Sequence, residues 1–266
     1  MPIYIDDIHF FSDRYGISGE DTSCYLRKEH TPKPTSITLT NSILSASCSS
    51  DIPAFFMLND DISDWNGERF TDLFEKLSNH GYAVFHFQIS NQTDEDMFAS
   101  FEREKNRLLE QYSFIDKNQL YIGGFGHGVS FLLYVTGHTN AFKAAVSLNA
   151  FVNYTTAYGN YEGCHEDYRK SNAQDFKSWL YAMAEKCPLR YLDQNKTPYL
   201  ILHAHKDYIC SEEQSEELFS GIKDRIPEIP CRMIIFPEEN HYILMPGHEK
   251  YQERIASEIL AWFTQY

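Results

Sequence analysis

Three places in the chain hold residues whose types and spacing could carry out chemistry. The first is Leu120-Tyr121-Ile122-Gly123-Gly124-Phe125-Gly126-His127-Gly128, an apolar run entering a glycine-rich turn that opens an apolar helix. Strand, sharp turn and helix in immediate succession are the setting of the G-x-S-x-G nucleophile elbow, whose outer glycines let strand and helix approach closely. Here Gly124 and Gly128 are the outer glycines, and Gly126 stands where a serine nucleophile would. The second place is His203-Ala204-His205-Lys206-Asp207, at the end of a predicted strand. The third is Phe236-Pro237-Glu238-Glu239-Asn240-His241, a loop between the last predicted strand and the last helix. A carboxylate that orients an imidazole makes a general base, and turn, acid and base in that chain order form a nucleophilic triad. Taken singly, each has a plainer reading: a glycine connector, a turn aspartate and a surface histidine. All three follow strands, at the sheet edge where such a site assembles. Gly126 has no hydroxyl, so the ordinary acyl-enzyme cannot form.

Other groups could in principle replace the nucleophile. Ser130 lies one helical turn beyond Gly126, on a helix expected to pack beneath the sheet and bury it. A water held by His241 in the space left by the missing hydroxymethyl group is a second route. His203-x-His205-x-Asp207 has the form of an H-x-H-x-D metal motif. However, Tyr208 follows where that motif continues with histidine, and only residues 208–266 remain for further ligands. Alternation puts both histidines on one strand face, which a satisfied core pair explains equally well, so neither metal nor cofactor is called for.

The elements that must position these groups follow from hydrophobic periodicity. Pro53 to Leu58, Tyr82 to Phe87, Leu120 to Ile122, Phe142 to Leu148, Pro198 to His203 and Cys231 to Phe236 are short apolar runs of strand type. Helical patterns lie between them. Phe70, Leu73, Phe74 and Leu77 share one face of a helix ended by Gly81, and a charged helix runs from about Asp94 to Tyr112. An apolar helix spans about His127 to Val135, and a closing helix carries Ile255, Ile259, Trp262 and Phe263. Ser211-Glu212-Glu213-Gln214 has the form of a capping box opening a helix with Leu218, Phe219 and Ile222. Strands alternating with helices predict one α/β domain over 1–266, with a mostly parallel sheet covered on both faces. Residues 1–50 read as irregular N-terminal strands, and 151–186, rich in tyrosine and polar groups, as a helical cap excursion.

From about Pro53 to Tyr266 the sequence resembles the catalytic α/β-hydrolase domain of the prolyl-oligopeptidase family, especially its acylaminoacyl-peptidase and dipeptidyl-peptidase branch. The elbow segment is similar to that family's G-G-S-Y-G-G. Gly137-His138-Thr139-Asn140-Ala141-Phe142-Lys143-Ala144-Ala145-Val146 is similar to the stretch after its nucleophile helix. Cys187-Pro188-Leu189-Arg190-Tyr191 and Lys196-Thr197-Pro198 resemble the approach to the acid strand. Asn240-His241 and Trp262-Phe263 resemble the histidine loop and last helix. The fifty residues ahead of this region are too few for the β-propeller that precedes the domain in many relatives.

The resemblance implies that Asp207 is the triad acid, His241 the base, and the His127 backbone N–H one oxyanion donor. The other donor should come from the turn at Asn59-Asp60-Asp61, where two carboxylates would oppose a developing oxyanion. After the acid, Tyr208-Ile209 replaces the Asp-Arg of many relatives, so a carbonyl-binding guanidinium is missing. Tyr154, Tyr158, Tyr161 and Tyr168 lie where the family builds a pocket wall. Tyr154, Tyr158 and Tyr208 are the candidate substrate-binding residues, with aromatic packing against the cap as the plainer role.

With 38 acidic against 23 basic residues the formal charge is −15, which disfavours nucleic acid and anionic membranes. No apolar run approaches a membrane span and no signal peptide is visible, so a cytoplasmic location is expected. Six scattered cysteines without CxxC spacing read as reduced thiols. The expected function is a ligand- or partner-binding protein of peptidase or esterase descent, with covalent hydrolysis disabled or strongly impaired. It would take a small molecule, an acyl ester or a peptide, and could also engage a protein partner or a second copy. The alternatives are an active hydrolase whose serine has been exchanged by design, or a non-hydrolytic enzyme using His241 as general base. The altered Asn59-Asp60-Asp61 turn favours natural divergence over design.

Overall fold

A computed structural model describes residues 3–6, 34–39, 51–59, 69–89, 94–159, 162–245 and 247–266. The strands are β1 (Ile3–Asp6), β2 (Pro34–Leu39), β3 (Ile52–Asn59), β4 (Ala83–Gln88), β5 (Ile115–Phe125), β6 (Ala144–Leu148), β7 (Tyr199–Ala204) and β8 (Cys231–Phe236). They form one sheet in the order β1-β2-β4-β3-β5-β6-β7-β8. The first two pairings along this order are antiparallel and all pairings from β4 to β8 are parallel.

Parallel strands need covering on both faces, and β3 is apolar on both. Phe56 and Leu58 join one core cluster with Phe101 and Leu108 of α2 (Asp94–Gln111), Val129 and Leu132 of α3 (Gly128–His138), and a later helix that carries Leu218 and Ile222. Phe55 and Met57 join the opposite cluster with Leu73 and Leu77 of α1 (Thr71–Asn79). Ile255, Ile259 and Phe263 of the closing helix complete that second layer. The chain is therefore an α/β-hydrolase-like fold, with helices on each face of a mostly parallel sheet.

Between β6 and β7 the chain leaves the sheet to form α4 (Tyr154–Ala157), α5 (Glu162–Lys170) and α6 (Phe176–Glu185), then a 3-10 turn over Pro188–Gln194. This excursion has its own core of Phe151, Ala157, Cys164, Trp179 and Cys210. Because Cys210 lies just after Asp207, the cap core is joined to the loop bearing the acid. The remaining helices are α7 (Glu212–Arg225) and α8 (Glu249–Gln265).

Two sequence expectations change in physical detail. β5 begins at Ile115, ahead of the apolar Leu120, because Asp116 to Gln119 extend the strand as a largely exposed segment without an apolar face. The capping box at Ser211 is replaced by other partners: no side chain caps α7 at this residue, and the Gln214 amide turns to the segment after β6. Of the turn Asn59-Asp60-Asp61, Asn59 ends β3, while Asp60 and Asp61 lie outside the described residues, as does Tyr161.

Candidate active site

Gly126 sits in the left-handed region with φ +56°, between β5 and α3. Its N–H donates to the Leu148 carbonyl at 3.0 Å, and its carbonyl accepts from Val129 and Phe151, each at 3.1 Å. The turn is thus held by β6, the helix it opens and the segment leading to the cap. The flanking glycines are needed for close approach. A Cβ on Gly128 would lie 2.3 Å from the Leu58 carbonyl oxygen, and one on Gly124 would lie 2.7 Å from the Gly128 backbone. Both obstacles are backbone, which cannot turn away as a side chain could. Gly128→Ala is therefore expected to destabilise the protein by about 3 kcal/mol, the upper part of the range for overpacking. A loss below about 1 kcal/mol in denaturant titration would show that α3 is not pressed onto β3.

Asp207 lies just beyond β7, with its side chain 0% exposed. Its Oδ1 accepts the N–H groups of Ile209 and Cys210, each at 2.8 Å. Its Oδ2 lies 2.7 Å from Nδ1 of His241. Because the carboxylate accepts, Nδ1 carries the hydrogen, and in the neutral ring Nε2 is then the lone-pair site. The imidazole also packs edge-on against Phe125, with ring centroids 4.9 Å apart.

The elbow and this pair meet. A Cβ built on Gly126 would lie 3.9 Å from Cε1 of His241, the one contact within 4 Å among the described residues other than its chain neighbours Phe125 and His127. Ser130 is turned elsewhere. It is half-buried, and its hydroxyl donates to the Phe151 carbonyl at 2.5 Å.

The other candidates are placed unequally. Asn59 is buried at the carboxyl end of β3, opposite Phe125 in the parallel register, which puts it beside the elbow. The His127 ring packs on Phe151 at 4.0 Å and lies 6.1 Å from the Tyr154 ring. Tyr154 therefore flanks the elbow. Tyr158 packs within the cap against Trp179 and Phe176, at 5.1 and 4.8 Å. Tyr208 is 66% exposed beside the acid. His203 is fully buried, and its Nδ1 and Nε2 lie 2.6 Å from Ser215 Oγ and 2.9 Å from the Cys210 carbonyl. Burial holds the His203 pKa below the ordinary histidine range. His205 instead pairs with Glu212 at 2.5 Å on the exposed side. Among the described residues, no group of three or more His, Cys, Asp or Glu is arranged to hold a metal ion.

Four supporting residues have roles that sequence reading did not assign to them. Gln214 is buried; its Oε1 accepts from the N–H groups of Val152 and Asn153, and its Nε2 donates to Thr156 Oγ1. It ties α7 to the segment carrying Tyr154. Gln214→Leu would leave the two backbone donors without this acceptor and is expected to cost about 2 kcal/mol, read by chemical denaturation. An unchanged midpoint would mean the segment is held by other contacts. Asn149, in the left-handed region at φ +45°, accepts the Ala204 N–H through Oδ1 at 3.0 Å, joining the ends of β6 and β7. An asparagine directly after a strand is a weak signal for such a bend. Phe125 packs on His241, and the guanidinium carbon of buried Arg69 lies 4.8 Å from the same Phe125 ring. A cavity of about 360 Å³ beside Asp207 is lined by His205, Asp207, Ser211, Glu212, Glu213 and Glu216.

The turn at Gly126, the Asp207 carboxylate and the His241 imidazole meet beyond the carboxyl ends of the parallel strands, the edge at which α/β-hydrolase folds build their sites. Residues 78–266 match the model of the prolyl oligopeptidase family, and the chain belongs to that family. It is 28% identical over 161 residues to the uncharacterized peptidase YuxL of Bacillus subtilis, covering 57% of this chain and 23% of that protein. It is 23% identical over 173 residues to dipeptidyl-peptidase 5 of Schizosaccharomyces pombe, covering 64% of this chain and 24% of that protein. The chain thus spans about a quarter of the length of these curated relatives. The acylaminoacyl peptidase of Pyrococcus horikoshii superposes with a TM-score of 0.67 at 15% identity, over 89% of this chain and 42% of that one. An esterase domain from Rhodothermus marinus superposes with a TM-score of 0.61 at 16% identity, over 89% and 97% of the two chains. These likenesses carry the fold. Among the described residues, no helix is long and apolar enough to cross a membrane.

Proposed function

We propose that this chain is a member of the family in which acyl-enzyme chemistry is disabled at Gly126 and the remaining site binds a peptide or acyl ester. The supporting observation is the 3.9 Å between a Cβ at Gly126 and Cε1 of His241. The place for a nucleophile is intact beside an oriented imidazole, and the reacting atom is missing. His127 supplies the backbone N–H at the start of α3, Asn59 closes the neighbouring strand end, and Tyr154 forms a wall beside the elbow. Tyr158 holds the cap together, and exposed Tyr208 is available to an extended ligand at the rim. With a chain charge of −15 and carboxylates lining the cavity beside Asp207, neutral or basic peptides are favoured over acidic ones.

Calorimetric titration with N-acetylated short peptides and their methyl esters tests this. Saturable binding, weakened by Tyr154→Ala, together with no labelling by a fluorophosphonate is the expected result. Heat of dilution alone from neutral and basic peptides would overturn the binding role.

A further inference from the structure

We infer that the space over Gly126 holds a water which the Asp207–His241 pair activates, so that the chain hydrolyses activated esters directly, without an acyl-enzyme. This inference rests on the site reading given above and adds a reaction to it. Three observations carry it. The Asp207 carboxylate is fully engaged, by two backbone N–H groups through Oδ1 and by His241 Nδ1 through Oδ2. This arrangement fixes the imidazole and leaves Nε2 as a hydrogen-bond acceptor. Among the described residues, and leaving aside its chain neighbours Phe125 and His127, the position a serine Cβ would take has only Cε1 of His241 within 4 Å, at 3.9 Å, so an oxygen one bond further out is the atom that would approach the imidazole. Finally, Ser130 donates its hydroxyl to the Phe151 carbonyl, which leaves His241 to act on water.

In this reaction the water oxygen forms a bond to the acyl carbon while His241 Nε2 takes its proton. The tetrahedral species then collapses. The bond to the leaving oxygen breaks, and the proton on Nε2 passes to the leaving alkoxide, or to solvent when a phenolate departs. The carboxylic acid is the other product, Asp207 keeps its charge, and no redox partner is needed. Aryl esters are the substrate class, because a good leaving group demands least from the oxyanion donors.

The experiment is p-nitrophenyl acetate hydrolysis by the full chain, by His241→Gln and by Gly126→Ala, with the protein mass followed during turnover. Gly126→Ala keeps both members of the acid–base pair and places over the turn a methyl group, 3.9 Å from His241 Cε1, that crowds the proposed water. The expected result is linear turnover with no burst, slowed in D2O, and no acetyl group on the protein. Turnover should stand about 100-fold above His241→Gln, at the low end for general-base catalysis. It should fall about tenfold or more in Gly126→Ala, as a misplaced reactant would. Equal rates in the chain and His241→Gln, no effect of Gly126→Ala, or an acetyl group recovered on the protein would each overturn the inference. Peptide binding with only background ester turnover sinks this inference and leaves the binding role standing. Turnover without peptide binding does the reverse.

Discussion

Gly126→Ser is expected to react stoichiometrically with a fluorophosphonate and to release p-nitrophenol in a burst, neither of which the chain itself should do. Among the described residues other than its chain neighbours, a Cβ at this position meets His241 alone, with Cε1 at 3.9 Å, so the serine hydroxyl is placed on the imidazole side without displacing any of them. The tautomer is already set by Asp207, which is what a nucleophile's base requires. Removing the serine from an intact triad costs up to about 10⁶ in kcat. Restoring it here should raise ester turnover by at least about 10³, the shortfall reflecting an oxyanion site without its usual turn sequence. The same substitution should lower stability by about 1 kcal/mol, since φ +56° suits glycine and strains a residue with a Cβ. These two effects have different origins and can be read separately. A variant that stays unlabelled although folded would show that the pair no longer serves acyl transfer. Equal or greater stability would show that the turn lacks the strain of an elbow.

The parts of the site that were legible in the sequence are those set by backbone rules. The glycines at 124 and 128 follow from close packing of strand and helix, and the structure gives each a backbone atom that a Cβ would strike. Asp207 and His241 follow strands in the required chain order, and parallel pairing of β5 through β8 brings their loops to one edge. Side-chain destinations were less legible. Gln214 occupies the third helical position, where a capping box needs it, yet its amide serves the segment after β6 because that tertiary contact satisfies two buried donors at once. Tyrosine spacing could not separate Tyr154, beside the elbow, from Tyr158, inside the cap, or Tyr208, in solvent. Ring packing across different elements decides that, and local periodicity does not encode it. His86 stands between two phenylalanines and Arg69 between Glu68 and Phe70, neither in any motif, and only the folded chain shows both to be buried.

His86 should make the protein acid-labile in a defined window. It lies on β4 with its ring edge-on to Phe70 and Phe74, at 5.1 and 5.5 Å, and burial lowers its pKa to about 3. In the unfolded chain the same group titrates near 6.5. Above that pH neither state holds the proton and His86 has no effect on the pH dependence. Below it the unfolded chain binds a proton that the folded chain refuses, so stability falls as pH drops, and the fall continues until about pH 3. The upper limit of this loss is about 4 to 5 kcal/mol, comparable with the whole stability of a marginal domain. Buried His203, with its pKa also lowered by desolvation, acts in the same direction. Denaturant midpoints measured from pH 7.5 to pH 4 should therefore decline more steeply for the chain than for His86→Leu, whatever the offset between the two at neutral pH. Parallel curves would mean that His86 takes up its proton in the folded state as readily as in the unfolded one, and that the layer between α1 and the sheet admits a charge.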